Sequence, residues 1–397
     1  MTMKFRVKGL SSGGARAGVI QLPNCPVSIE TPSLLLSTRK GLPHFLSPDL
    51  LSSLSSPDSH LLQFSPLHFA EGISAQTISN VGGLNKLLGL QGHGFGAILR
   101  DSVFCLPEPN STNKFGASFE TPSGRLLVKP VEYMKMISSM NPNWWVSIPD
   151  EVPAWATEKR NKISVDRTLR WLDECIELNK ADGSIFGAIV GGSSMEQRKR
   201  CAHEVVKHNP SGYWIGGFGL GEAIGARPAL LTGVTDMLPM DKPRQVCGLG
   251  LPEEILQGVA AGIDLFESSY IYHLTLGGYA LTFPVENTVE HISNDDLSDA
   301  GGDLTKINLH ATVYRKDTLP IVEKCSCYTC QNHSRAYIHH LLNVHEMLAQ
   351  ILLEIHNTHH MLGFFQNIRH AIKNKKFEQF RDKFVSSRCT SAVTPRQ

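Results

Sequence analysis

A chain of 397 residues with a formal net charge of +1 suits one large domain or two small ones, and its near balance of charge excludes a polycation, so any nucleic-acid contact has to come from a local basic patch. The 41% hydrophobic content supports a sizeable core, and no apolar run has the length of a membrane span. Six cysteines (Cys25, Cys105, Cys175, Cys201, Cys247 and Cys389) are scattered without paired spacing, which points to a reducing compartment and to free or buried thiols.

In chain order, the first 29 residues contain Lys4, Arg6, Lys8 and Arg16 and no acid. That composition resembles a mitochondrial presequence, although Gly18 to Leu22 already reads as a strand. Residues 16–36 read as a hairpin that turns at Pro23-Asn24 and runs on into Thr31 to Leu36. Residues 47–92 alternate helix-like and loop stretches and end in the glycine-rich Gly92 to Gly96. Ala97-Ile98-Leu99 reads as a short buried strand delivering Asp101. Residues 107–124, rich in Pro, Asn, Ser and Thr, read as a long loop. A helix is expected from Pro130 to Met140, with Pro130 in its first turn.

From residue 144 the pattern is regular. Apolar strands end at Pro149-Asp150, Gly191-Gly192, Gly216 to Gly219, Gly248 to Gly250 and Glu267, separated by helices at 164–179, 194–208, 228–238 and 252–261. Such alternation means parallel strands with crossover helices, as an eight-fold barrel or an open doubly wound sheet; length and the number of units favour the (β/α)8 TIM barrel. In either case a ligand site belongs at the strand ends. Residues 286–305 are acidic and Gly/Ser/Asp-rich, an expected loop or insert.

Three cysteines fall within six positions at Cys325-Ser-Cys327-Tyr-Thr-Cys330. Thiolates at such spacing can converge on one tetrahedral centre, and a distant imidazole would complete a closed, structural Cys3His zinc site. Eight of the 17 histidines lie between His333 and His370, and spacing alone does not choose between His356 and the local rival His333. A straight helix from Cys330 would carry His356 about 39 Å away, so the chain has to fold back. Asn343 and Glu346 offer a capping box at which helical arms 333–342 and 344–356 could meet. An apolar stripe from Leu341 to Leu362 follows at helical spacing. Lys373, Lys375, Lys376, Arg381 and Lys383 make a basic segment, a solvated face by default and a phosphate contact as the alternative.

Asp101, Asp150 and Glu267 each follow a predicted strand and could do acid–base or nucleophilic work at one barrel face, or could simply cap helices and pair with arginines. Gly217-Phe218-Gly219-Leu220-Gly221 approaches a dinucleotide fingerprint, but its third glycine is misplaced and no acid follows at the right interval, which argues against NAD. P-loop, HExxH and GxSxG patterns are absent.

On these residues the chain resembles the tRNA-guanine transglycosylases (queuine tRNA-ribosyltransferases). The matching segments are Cys325-Ser-Cys327-Tyr-Thr-Cys330, Ser334 to Leu341 and Glu354 to His359. Others are Ala15 to Gly18 with Thr31-Pro32, Asp150-Glu151, Gly216 to Glu222 and Asp241 to Arg244. The resemblance implies a barrel over 1–310, with the N-terminal hairpin, and a zinc-binding helical subdomain over 311–397. It implies one structural Zn2+ on Cys325, Cys327, Cys330 and His356, and a reaction that exchanges wobble guanine in tRNA for queuine through a covalent Asp intermediate. The base pocket would fall on Asp150, Gly191, Gly192 and Gly217.

The departures fall at the active site. Where the family has its nucleophile in Phe-Asp-Cys-Val, this chain has Phe266-Glu267-Ser268-Ser269, and the following Pro-Thr-Arg is replaced by Tyr272 to Thr275. An extra methylene displaces the carboxylate by about 1 Å, a misplacement that can cost about a hundredfold. The family's Asp-Ser-Gly-Gly-Phe-Gln becomes Asp101-Ser102-Val103-Phe104-Cys105, and the base-binding Gln becomes Val190. Asp101 and Glu267 are therefore degenerate positions. The resemblance points to the non-catalytic accessory subunit of the eukaryotic heterodimer. That subunit pairs with a catalytic subunit, helps bind tRNA, and forms a homodimer when alone. Its implied place is the cytoplasm, peripheral on the mitochondrial outer membrane. Two readings compete: an active transglycosylase with Glu267 as nucleophile and Asp101 as acid–base, and a carrier or sensor that binds queuine without acting on it.

Overall fold

Eight parallel strands close on themselves. They are β1 (Ser33–Thr38), β2 (Leu61–Phe64), β3 (Gly94–Ala97), β4 (Trp144–Val146), β5 (Ser184–Ile189), β6 (Gly212–Ile215), β7 (Arg244–Val246) and β8 (Leu265–Glu267). Each pairs with its sequence neighbour, and β8 returns to β1 through Leu265–Ser33, Phe266–Leu34 and Glu267–Leu35. The closure decides for the barrel over the open sheet. This computed structural model describes residues 3–23, 25–54, 57–179, 183–284 and 305–389, so the expected acidic loop at 286–305 lies almost wholly outside the described residues.

The barrel helices form for ordinary reasons. In Glu158–Leu178, Thr157 accepts a hydrogen bond from the Arg160 amide as N-cap, and Ser164, Val165, Thr168, Trp171, Leu172 and Cys175 line one buried face at 3.6-residue spacing. Pro130 and Pro252 open their helices at the first turn, where a missing N–H costs nothing.

Several sequence expectations are corrected. The glycine-rich Gly94 to Gly96 is strand, not loop: a Cβ on Gly96 would lie 2.2 Å from the Trp144 indole, so the small residue admits a neighbour's ring. Leu61–Phe64 is a barrel strand inside a stretch read as helix and loop. Within residues 107–124, Ala117–Thr121 pairs antiparallel with Gly124–Val128. The N-terminal hairpin is right for Arg16–Gln21 and Ser28–Thr31, but Ser33–Thr38 leaves it to open the barrel.

The presequence-like cations belong to this sheet. Lys4–Leu10 pairs with Arg16–Gln21, with Lys4, Arg6 and Lys8 on its exposed face. Arg16 is fully buried and bonds Asp264 at 3.0 and 2.5 Å as well as the carbonyls of Met240 and Lys242. The sheet lies against the strand starts: Leu22 fills the space a side chain on Gly94 would need.

At that end His60 and His93 meet edge to face, 4.7 Å between centroids, with both nitrogens of His93 unpartnered. Burial lowers the pKa of His93 to about 4 and lowers that of His60 as well. The unfolded chain therefore binds protons that the fold refuses. This stability is present above the unfolded value near 6.5 and is lost as pH falls toward 4. We expect the melting temperature to drop between pH 7.5 and 5, and His93→Leu to flatten that drop; an equal slope in the variant would contradict the assignment.

C-terminal to the barrel, Arg335–Asn343 and Leu348–Lys373 form a helical hairpin. The chain does fold back near residue 343, but Asn343 ends a helix rather than capping the next. Its amide donates to the His339 carbonyl, His345 turns at φ +58°, and the next helix starts at Leu348. Ile355, Leu362, Phe365 and Ile368 of this helix enter the main core, while Ala349, Leu352 and Leu353 join a second cluster with Ile338, Leu341 and Leu342.

Candidate functional site

The cysteine cluster is assembled locally. Cys327 is the N-cap of Tyr328–Asn332 and its sulfur accepts from the Cys330 amide at 3.3 Å, which turns two thiols toward one point. The Thr329 hydroxyl donates to the Leu352 carbonyl at 2.7 Å, tying this turn to the long helix. His356, one turn further along, is fully buried, and its Nδ1 lies 4.0, 3.5 and 3.3 Å from the sulfurs of Cys325, Cys327 and Cys330. Zn–S of 2.3 Å and Zn–N near 2.0 Å at a tetrahedral angle require S···N of about 3.5 Å, so the donor set fits that geometry.

On its other side the His356 Nε2 donates to the Leu281 carbonyl at 2.8 Å, fixing the tautomer that leaves Nδ1 for a metal. Asn357 clamps the same strand, accepting from the Leu281 amide and donating to the Tyr279 carbonyl. Hydrogen bonds from Cys327, then Cys330, pull Cys325 below the usual thiol range, so a thiolate is at hand. The four residues could hold one metal ion. His333, the local rival, sits outside the cluster, stacked on Tyr337.

The sequence-predicted acids gather at the C-terminal mouth of the barrel, each engaged by the chain itself. Glu267 is 2% exposed. Its Oε1 accepts from the Ser102 hydroxyl at 2.6 Å, the Gly248 amide at 2.9 Å and the Ser269 hydroxyl at 3.3 Å, and the Cys247 thiol faces Oε2. Asp101 accepts from the Val103 amide at 3.0 Å and pairs with His68 Nε2 at 2.8 Å. Asp150, with no exposed side-chain surface, is held by Arg160 at 2.7 and 2.9 Å and Arg167 at 3.1 Å.

Gly191, Gly192 and Gly217 all have positive φ and stand around Arg198 and Asn161. A Cβ on Gly191 would lie 2.9 Å from the Arg198 side chain, one on Gly217 3.0 Å from its Nη2, and one on Gly192 2.3 Å from Asn161 Oδ1. The buried Arg198 donates to the carbonyls of Gly192, Gly216 and Gly217 at 2.7 to 3.1 Å and lies over the Phe218 ring. Burial lowers its pKa to about 10, so it is charged at neutral pH. Beside it, Glu151 accepts from Arg100 and from the Gly217 amide, both at 2.7 Å.

Phe104 stands where the resembling family has glycine. His44 stacks on it at 5.2 Å, Tyr272 meets it edge-on at 5.7 Å, and the Arg39 guanidinium lies 4.8 Å above it. His68, Asp101 and Cys105 bring their donor atoms within 4.8 Å of one another, but this is a poor metal site. The Lys40 amide points at His68 Nδ1, which leaves the proton on the Nε2 that faces Asp101. Burial, with the Asp101 charge, pushes Cys105 up to about 12. A hydrogen-bonded His–Asp pair beside a neutral thiol accounts for the group.

Sequence reasoning missed Arg160, Arg167 and Arg198 as partners of the site. Two of them carried a signal: Arg160 and Arg167 are seven apart on the helix that follows Asp150, so they share a face. Arg198 carried none, because its partners are backbone carbonyls.

A family profile described as queuine tRNA-ribosyltransferase matches residues 11–390. The chain is 34% identical over 386 residues to queuine tRNA-ribosyltransferase accessory subunit 2 of Homo sapiens, covering 89% of this chain and 92% of that one. The protein of the same name in Xenopus tropicalis is 34% identical over 404 residues, with 94% and 96% covered. That of Drosophila yakuba is 30% identical over 386 residues, with 93% and 89% covered. Barrel, cysteine quartet and a profile spanning nearly the whole chain agree: this chain belongs to the queuine tRNA-ribosyltransferase family.

Proposed function

We propose that this chain is the non-catalytic accessory subunit of a queuine tRNA-ribosyltransferase. It pairs with a catalytic subunit, helps bind tRNA while wobble guanine is exchanged for queuine, and carries one structural zinc ion on Cys325, Cys327, Cys330 and His356. The observation that carries the non-catalytic role is the state of Glu267: buried, with one oxygen accepting from three donors, while Phe104, in place of a family glycine, packs with His44 and Tyr272. A nucleophilic carboxylate needs a lone pair aimed at substrate, and here the donors Ser102, Gly248 and Ser269 compete for it. The names of the relatives support the same role. Zinc is favoured by three soft thiolates plus one imidazole in a closed tetrahedral arrangement.

Exposed Tyr328, Tyr337 and Leu348 on the helices of this lobe, with Val344 and Met347 in the turn between two of them, offer apolar surface for the partner subunit, or for a second copy when the chain is alone. We also propose, from the family resemblance alone, a cytoplasmic location that is peripheral on the mitochondrial outer membrane. Among the described residues no helix is long and apolar enough to cross a membrane.

Guanine exchange in cognate tRNA tests the proposal, with this chain, the catalytic subunit, and the two mixed. We expect no exchange by this chain alone, full exchange by the mixture, and no change on Glu267→Gln. Exchange by this chain alone that disappears in Glu267→Gln would replace the proposal with an active enzyme using glutamate as nucleophile.

A further inference from the structure

Trp155 is 78% exposed, while the other four tryptophans, Trp144, Trp145, Trp171 and Trp214, are each 1% exposed or less. An indole left in water is costly, and this one is mounted. It sits on the loop after β4, and the loop after β6 passes beneath it. A Cβ on Gly221, which has φ +92°, would come within 2.6 Å of the ring, so the indole lies against bare backbone. The Ala154 amide donates to the Leu220 carbonyl at 3.0 Å, tying the two loops together, and the Ala156 amide donates to the Pro153 carbonyl at 3.0 Å within the first loop. One side is supported and the rest faces solvent, at the same end of the barrel as Asp150 and Glu267.

The helix that begins three residues later opens with one acid, Glu158, to which the Ser194 hydroxyl donates, and with the cations Lys159 and Lys162. Both lysines are exposed and have no carboxylate partner among the described residues. A rigid aromatic face next to free ammonium groups is what an unstacked base with its flanking phosphates requires, because every base has a π-face and each phosphate carries a charge.

We propose that Trp155 is a stacking platform for an unpaired nucleobase of the tRNA, with Lys159 and Lys162 taking adjacent phosphates. The inference rests on the tRNA role proposed above and adds the residue that makes the contact. Backbone support under one side of the ring lowers the entropy cost of stacking on the other. Ile224, three residues past Gly221, is also exposed at 62%, so contact with the partner subunit is the competing use of this surface.

The test uses the complex of both subunits, with 5-fluorotryptophan incorporated in this chain only and the Trp155 resonance identified by its loss in Trp155→Phe. We expect cognate tRNA, and not the partner subunit alone, to shift or broaden that 19F resonance. We expect Trp155→Ala to weaken tRNA binding by about 5- to 150-fold at fixed salt, Trp155→Phe to retain most of it, and Lys159→Ala with Lys162→Ala to reduce the salt dependence. A resonance that moves when the partner is added and is indifferent to tRNA would overturn the proposal in favour of a subunit contact. Tight tRNA binding with an unmoved resonance and an unchanged Trp155→Ala affinity would overturn it while leaving the tRNA role intact. A complex that binds tRNA no better than the catalytic subunit alone would remove the tRNA role itself.

Discussion

Cys327→Ala is expected to abolish stoichiometric metal binding and to unfold the helical lobe around it. Cys327 is both a member of the quartet that could hold a metal and the cap of Tyr328–Asn332, so one change removes a sulfur donor and frees a helix end. Apparent binding energies of structural zinc are about 10–16 kcal/mol in small peptides at pH 7, as large as the roughly 5–15 kcal/mol that holds a whole domain. The second apolar cluster contains Cys327 and Cys330 themselves, so loss of the quartet disturbs its packing directly. Elemental analysis should fall from one metal per chain to background. The melting temperature should fall by about 10 °C or more, and a chelator should do the same to the unmodified chain. A metal-free variant that melts with the native chain would show that helix packing alone carries the lobe.

Arg198→Met should be nearly as damaging, for a different reason. The guanidinium ties the end of β5 to the end of β6 by donating to three carbonyls. Methionine fills much of the same volume and supplies no donor. Each buried carbonyl left bare costs about 1–3 kcal/mol, and partial relaxation brings the total to about 3–5 kcal/mol. Urea unfolding should show a lower midpoint at unchanged slope. Arg198→Lys should recover only part of the loss, since an ammonium cannot reproduce the planar fork. A loss below about 1 kcal/mol would mean that the glycine loops are held by the Glu151 and Asn161 contacts instead.

How much of this was legible depended on whether the cause was local. Strands such as Tyr213-Trp214-Ile215, with glycines directly after them, declare a parallel barrel because both the apolar run and the turn chemistry are contiguous. β3 did not, since its glycines look like punctuation until Trp144 is placed beside Gly96. Lys4–Leu10 did not either: its alternating cations read as a leader until pairing with Arg16–Gln21 gives them an outer face. Among site residues, the thiolates were evident from spacing, and His356 became the fourth ligand by resemblance, because the return path depends on a turn at His345 that no neighbouring residue announces. The acids were found as candidates, but their engagement by Arg160, Arg167, His68 and Ser102 is set by contacts between distant segments.

The helix Leu348–Lys373 has a consequence for how this molecule can be divided. It is a single rod of about 39 Å. Its first half supplies His356 to the cysteines, and its far half reaches the base of the barrel, where Arg369 donates to the Pro32 carbonyl and to Asp58 and where Lys373 meets Glu30. A fragment ending ahead of this helix would expose the barrel face that Phe364, Phe365 and Ile368 now cover, and a fragment starting there would carry the same apolar strip into solvent. The two lobes share an axle, and neither is expected to be soluble without the other.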